Sequence, residues 1–99
     1  MHVRARLQLA EALGPDNRWF CSQAHGRRID DEEQLLIYFI RSGGAADFAA
    51  RYANAMSRDN RWYCSQYYGY DVRDPDILWE YFNRSVTADV GSRNLTLVF

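Results

Sequence analysis

Apolar positions recur with a helical period in four stretches of this chain. Over residues 4–13, Leu9, Ala10 and Leu13 share one face, and Gly14-Pro15 then supplies a stop signal. Over about 46–57, Phe48, Ala49, Tyr52, Ala53 and Met56 fall at i, i+1, i+4, i+5 and i+8, the pattern of an amphipathic helix. Leu35, Tyr38, Phe39 and Leu78, Tyr81, Phe82 give i, i+3, i+4 faces to two more helices. The starts of these two are marked. Asp31 and Asp74 are N-cap residues whose carboxylates can accept from the orphan N–H groups of a first turn. Pro75 suits the first helical position, and Glu32, Glu33 and Asp76 complement the positive end of the helix dipole.

Between these helices the pattern changes. Arg18–Gln23 and Arg61–Gln66 are rich in Trp, Phe or Tyr, and Cys, the residues of a pleated surface. Alternation puts Trp19, Cys21 and Gln23 on one face, with Phe20 and Ser22 on the other. A turn at Gly26 or Gly69 then leads into a short return strand carrying Ile29 or Val72, so each stretch is predicted to be a hairpin. Arg93–Phe99 reads as a final strand.

The chain is internally duplicated. Shifted by 43 residues, positions 5–42 face positions 48–85, and 16 of the 38 pairs are identical without a gap. Unrelated sequences of ordinary composition would share roughly two or three. The densest block sets Asp16-Asn17-Arg18-Trp19-Phe20-Cys21-Ser22-Gln23 against Asp59-Asn60-Arg61-Trp62-Tyr63-Cys64-Ser65-Gln66. A unit of about 40 residues seldom folds alone without staples. The expectation is therefore one α+β domain over 1–99. Two helix–hairpin–helix repeats, 5–42 and 48–85, would share one core about a pseudo-twofold axis. A small antiparallel or mixed sheet would carry the helices on one face, and residues 93–99 would add an extra strand.

Composition supports a packed core, with 47% apolar and 15% aromatic residues in 99. Net charge is −1, and neither half carries an excess of basic or acidic residues beyond one. That weighs against a nucleic-acid binder built on a basic excess and against an acidic DNA mimic. All twelve basic residues are Arg; codon usage accounts for this more simply than selection for guanidinium geometry. No secretory start and no apolar run of 18 residues is present, so a cytoplasmic protein with no membrane partner is expected.

Candidate chemistry is sparse. Cys21 and Cys64 are equivalent and read first as small buried hydrophobes, ahead of a disulfide or a nucleophile. His25 could activate Cys21, but its counterpart is Tyr68, so the second copy has no such pair. Two His and two Cys lack metal-ligand spacing, and no glycine-rich phosphate loop occurs. No catalytic residue, cofactor or metal is expected.

The turns where the copies diverge are the candidates for function. Copy one offers His25, Arg27 and Arg28, which could hold an anion; copy two offers Tyr67, Tyr68 and Tyr70, a contact surface of low conformational cost. Ile37 and Ile40 stand where copy two has Glu80 and Asn83. They are expected either to lie under the C-terminal strand or to meet a second copy in a homodimer. The function expected is that of a small non-enzymatic protein-binding module, an inhibitor or adaptor, acting through its aromatic-rich turns. A nucleic-acid-binding accessory protein is the alternative. A small-ligand binder or enzyme with a pocket at the pseudo-axis, near Trp19 and Trp62, is the third reading.

Overall fold

The computed structural model describes residues 2–84, and these form helices joined by short loops, with no strand among them. The helices are α1 (Val3–Ala12), α2 (Pro15–His25), α3 (Glu32–Arg41), α4 (Gly44–Ala55) and α5 (Arg58–Tyr68), followed by α6 over 75–84. The fold among the described residues is therefore all-α, and the expected α+β fold with its small sheet is overturned. The two predicted hairpins are replaced by α2 and α5 with the loops that follow them. The expected final strand, residues 93–99, lies outside the described residues.

The sequence carries the reasons for helix over strand. Pro15 occupies the first turn of α2, where its missing N–H costs no hydrogen bond, and Asp16 sits at the positive end of the dipole. Ser57 caps α5, its hydroxyl accepting from Asn60 N at 3.2 Å. Gly26 and Gly69 end the two helices in the left-handed region, at φ 68° and 81°, which a side chain would disfavour. Gly14-Pro15 both ends α1 and begins α2, with Gly14 as N-cap.

The expected caps of the other pair are present. Asp31 accepts from Gln34 N at 3.0 Å, and Asp74 accepts from Asp76 N at 2.9 Å.

The duplication is a duplication of structure. From Ala12 onward each boundary of the first three helices recurs 43 residues later. The chain divides into two compact units, residues 1–50 and 51–99. In unit one Cys21, Ile29 and Leu35 are buried together, with Leu13 and Tyr38 packed against them. In unit two the equivalent Cys64, Val72 and Leu78 are buried together, with Met56 and Tyr81 in the matching places and Ile77 added. Ile29 and Val72, expected on return strands, lie in loops and still reach the interior.

Two polar side chains hold each unit in register. Asn17 is buried and donates from Nδ2 to the Ala12 carbonyl at 2.7 Å and the Leu35 carbonyl at 3.0 Å, so one amide ties α1, α2 and α3. Asn60 repeats this on Ala55 and Leu78 at 2.8 and 3.3 Å. The Ala12 and Ala55 carbonyls belong to helix ends, where such groups lack an intrahelical donor. Ser22 Oγ accepts from Ile29 N at 2.9 Å, and Ser65 Oγ from Val72 N at 2.9 Å, which folds the loop back over its own helix. None of the described helices is long and apolar enough to cross a membrane.

Candidate functional site

The shared block Asp-Asn-Arg-Trp-x-Cys-Ser-Gln divides by helical position. Asn and Cys, four residues apart, face inward, and Ser bonds the loop. The Arg of each copy lies beside an aspartate: Arg18 Nε is 3.8 Å from Asp30, and Arg61 Nε is 3.5 Å from Asp71. What remains points to solvent. Trp19 and Phe20 are 58% and 56% exposed; Trp62 and Tyr63 are 59% and 58% exposed. In both copies the two rings meet edge to face with centroids 5.1 Å apart and an 84° angle between planes.

Alternation and β-propensity place these four aromatics on strands, with Trp19 on the face of Cys21. A helix puts Trp and Cys on different sides. The signal that could have found this was the i, i+4 spacing of Asn17 and Cys21, reinforced by Pro15 before them and Gly26 after. It was masked because the inward face of α2 is made of small polar residues and the outward face of large aromatic ones.

The tyrosines of copy two are brought together. Tyr67, Tyr68 and Tyr70 are all exposed at the end of α5 and just beyond it. Tyr67 and Tyr68 lie 5.0 Å apart at 88°, Tyr68 and Tyr70 6.4 Å apart, and Tyr81 of α6 is 5.6 Å from Tyr67. Arg84 stacks over Tyr67 at 5.4 Å and donates from Nη2 to the Tyr68 hydroxyl at 3.2 Å. That hydrogen bond is the first cause raising the Arg84 pKa, so its positive charge is held firmly at this cluster.

The copy-one trio is divided. His25 Nδ1 is 2.8 Å from the Cys21 carbonyl and 3.7 Å from Cys21 Sγ. A carbonyl only accepts, so Nδ1 carries the proton in that bond and cannot take one from the thiol. Cys21 is also fully buried, and Cys21 and Cys64 are free thiols. Burial pushes the Cys64 thiol pKa up, with Arg84 opposing. Neither the geometry nor the exposure of Cys21 suits a nucleophile.

Arg28 is committed to an ion pair, its Nε donating to Asp30 at 2.8 Å. Unit two builds the same pair with its signs exchanged: Asp71 stands in the place of Arg28 and Arg73 in the place of Asp30, at 2.7 Å. The hydrogen bond from Arg73 is the first cause holding the Asp71 carboxyl below the usual carboxylate range, and Arg61 adds to it. Position by position the turns looked unrelated; as a pair they are equivalent. Arg27 has no such partner among the described residues.

Arg27 and Arg28, with Arg18, Trp19, Ser22 and Gln23, line an open groove of about 700 Å³ along α2. Its equivalent in unit two is a hollow of about 350 Å³ at Ser65, Gln66, Gly69, Tyr70 and Asp71. Ile37 and Ile40 are exposed on α3. No group of three or more metal-ligating side chains occurs among the described residues.

Comparison with family models, with curated proteins and with solved structures finds no match for this chain.

Proposed function

We propose that the chain is a non-enzymatic protein-binding module whose contact surfaces centre on Trp19 with Phe20 and on Trp62 with Tyr63, extended in unit two by Tyr67, Tyr68 and Tyr70. The observation that carries this reading is the retention of Trp at the same exposed position in both copies. Within the shared block Asn, Arg, Cys and Ser have duties in the fold. Trp is mostly exposed, and its packing does not demand so large an apolar residue. Exposed aromatic patches of this kind mark interaction sites, and Trp and Tyr dominate binding energies. A cytosolic setting belongs to the same reading.

The nucleic-acid reading is less well supported. Of the arginines offered to phosphate, Arg18, Arg27, Arg28 and Arg61, three already lie against a carboxylate: Arg18 and Arg28 share Asp30, and Arg61 shares Asp71 with Arg73. The enzyme reading has no accessible cysteine nucleophile among the described residues, since Cys21 and Cys64 are both buried. Self-association through Ile37 and Ile40 is a second contact mode of the same module. Sedimentation velocity tests it, with Ile40→Glu expected to shift a dimer to monomer and an unchanged distribution counting against it.

The main test is selection of displayed peptides on the full chain. Peptides are expected to be enriched, and the double variant Trp19→Ser, Trp62→Ser is expected to lose about thirtyfold or more in affinity for them, the ~2 kcal/mol of an aromatic hot spot. Thermal stability should stay within the range of a surface change. Equal binding by the double variant would remove the reading.

A further inference from the structure

The two units share their Trp-centred surface but differ in what borders it. Resting on the protein-binding reading above, we infer that the groove of unit one takes an acidic peptide segment. A carboxylate would sit on Arg27, with an adjacent apolar side chain against Trp19.

The comparison between units separates what the fold needs from what it does not. Both units have an arginine at the third position of the shared block, and both have one Arg–Asp pair bracketing the buried Ile29 or Val72. The order of that pair is exchanged with little change in its length, so either order serves. Arg27 stands outside this scheme. Its counterpart is Tyr70, and its guanidinium has no ion-pair or hydrogen-bond partner among the described residues. Gln23, also on the groove, likewise has no side-chain partner there and can donate to a bound backbone.

Charge complementarity then selects the ligand. In unit one Arg18, Arg27 and Arg28 line the groove and only Arg18 and Arg28 pair with an aspartate, Asp30; in unit two Arg61 and Arg73 pair with Asp71. The unit-one groove therefore carries the larger positive excess, and its one unpaired donor fork matches a carboxylate bidentately. A volume of about 700 Å³ is within the range of sites that hold a drug-sized ligand or a few residues of extended chain. Trp19 supplies the apolar wall that a free inorganic anion would not use. An acidic segment with interspersed apolar side chains uses both.

The test uses the full chain and a fluorescein-labelled dodecapeptide of repeating Glu-Glu-Leu, read by anisotropy. Saturable one-to-one binding is expected at low salt, falling steeply as the salt concentration rises. Arg27→Glu is expected to weaken it about tenfold or more, and the Gln-Gln-Leu peptide should not bind measurably. In the other direction, the combined changes Tyr70→Arg, Asp71→Arg and Arg73→Asp copy the unit-one arrangement into unit two and should raise the stoichiometry to two. Undiminished binding by Arg27→Glu overturns the inference. So does equal binding of the Gln peptide, or tighter competition by a single-stranded oligonucleotide of the same charge. If neutral peptides are selected and depend on the Trp pair while Glu-Glu-Leu fails, the acidic-segment inference falls and the protein-binding reading stands. If no Trp-dependent peptide is selected, both fall.

Discussion

Asn17→Asp is expected to unfold unit one at neutral pH or bring it close to unfolding. The substitution keeps the shape of the side chain and exchanges the donating amide for an accepting oxygen. Asn17 Nδ2 now serves two carbonyls, at Ala12 and Leu35, in a buried place. A carboxylate there would face two carbonyl oxygens with no donor and lose its hydration. The cost is at least about 3 kcal/mol, a large share of what a domain of this size possesses.

The pH dependence has a definite sign. Burial raises the folded pKa of the introduced carboxyl above its unfolded value of ~3.9. The deficit is therefore smallest at low pH, where the protonated acid can donate to one carbonyl. It grows as pH rises from the unfolded value through the folded one. Urea unfolding followed by circular dichroism at pH 4 and pH 7 measures this. Asn60→Asp should behave alike, with a smaller loss because its second bond is longer, at 3.3 Å. An Asn17→Asp protein as stable as the parent at pH 7 would show that the amide does not join the three helices.

The second large effect concerns α3, where apolar residues run almost without interruption from Leu35 to Ile40. Leu35→Ala is expected to cost about 3 kcal/mol. Leu35 is fully buried against Cys21 and Ile29 in the small core of unit one, with Leu13 and Tyr38 packed against that cluster. Ile40→Ala is expected to change stability by no more than about 0.5 kcal/mol, because Ile40 is 64% exposed. Leu78→Ala should reproduce the Leu35 result in unit two, where Leu78 packs with Cys64 and Val72. Denaturant midpoints read all three. Equal losses for Leu35→Ala and Ile40→Ala would mean that α3 is turned about its axis relative to this description.

Much of this architecture was legible in residue order. The repeat, its 43-residue register and the helices at both ends of each copy follow from spacing and caps, and Asp31, Asp74 and Pro75 act as their residue types suggest. The middle element was misread for a physical reason. Alternation and β-propensity see Trp, Phe, Tyr and Cys and infer a half-buried sheet. In α2 and α5 the buried face is Asn and Cys with Ser beside it, and the aromatics lie outside, an inversion of the usual amphipathic pattern.

The same inversion moved the candidate site. Tyr67, Tyr68 and Tyr70 were identified from divergence between the copies and do gather on the surface. Strand alternation sets Trp19 on the face of Cys21, and the third reading sets Trp19 and Trp62 near a pocket at the pseudo-axis; both indoles lie instead on exposed helix faces. Arg28 was offered to a ligand, yet Asp30, two residues on, holds it, and only the distances reveal that Asp71 and Arg73 form the same pair reversed.

The outward tryptophans and inward cysteines of α2 and α5 can be checked together in one protein. In a Trp79→Phe background, acrylamide quenching reads Trp19 and Trp62 while iodoacetamide labelling reads Cys21 and Cys64. Helices predict indoles quenched nearly as freely as the free amino acid and thiols that label only through unfolding. Strands placing Trp and Cys on one face would give the two probes the same accessibility, and that outcome would contradict the account.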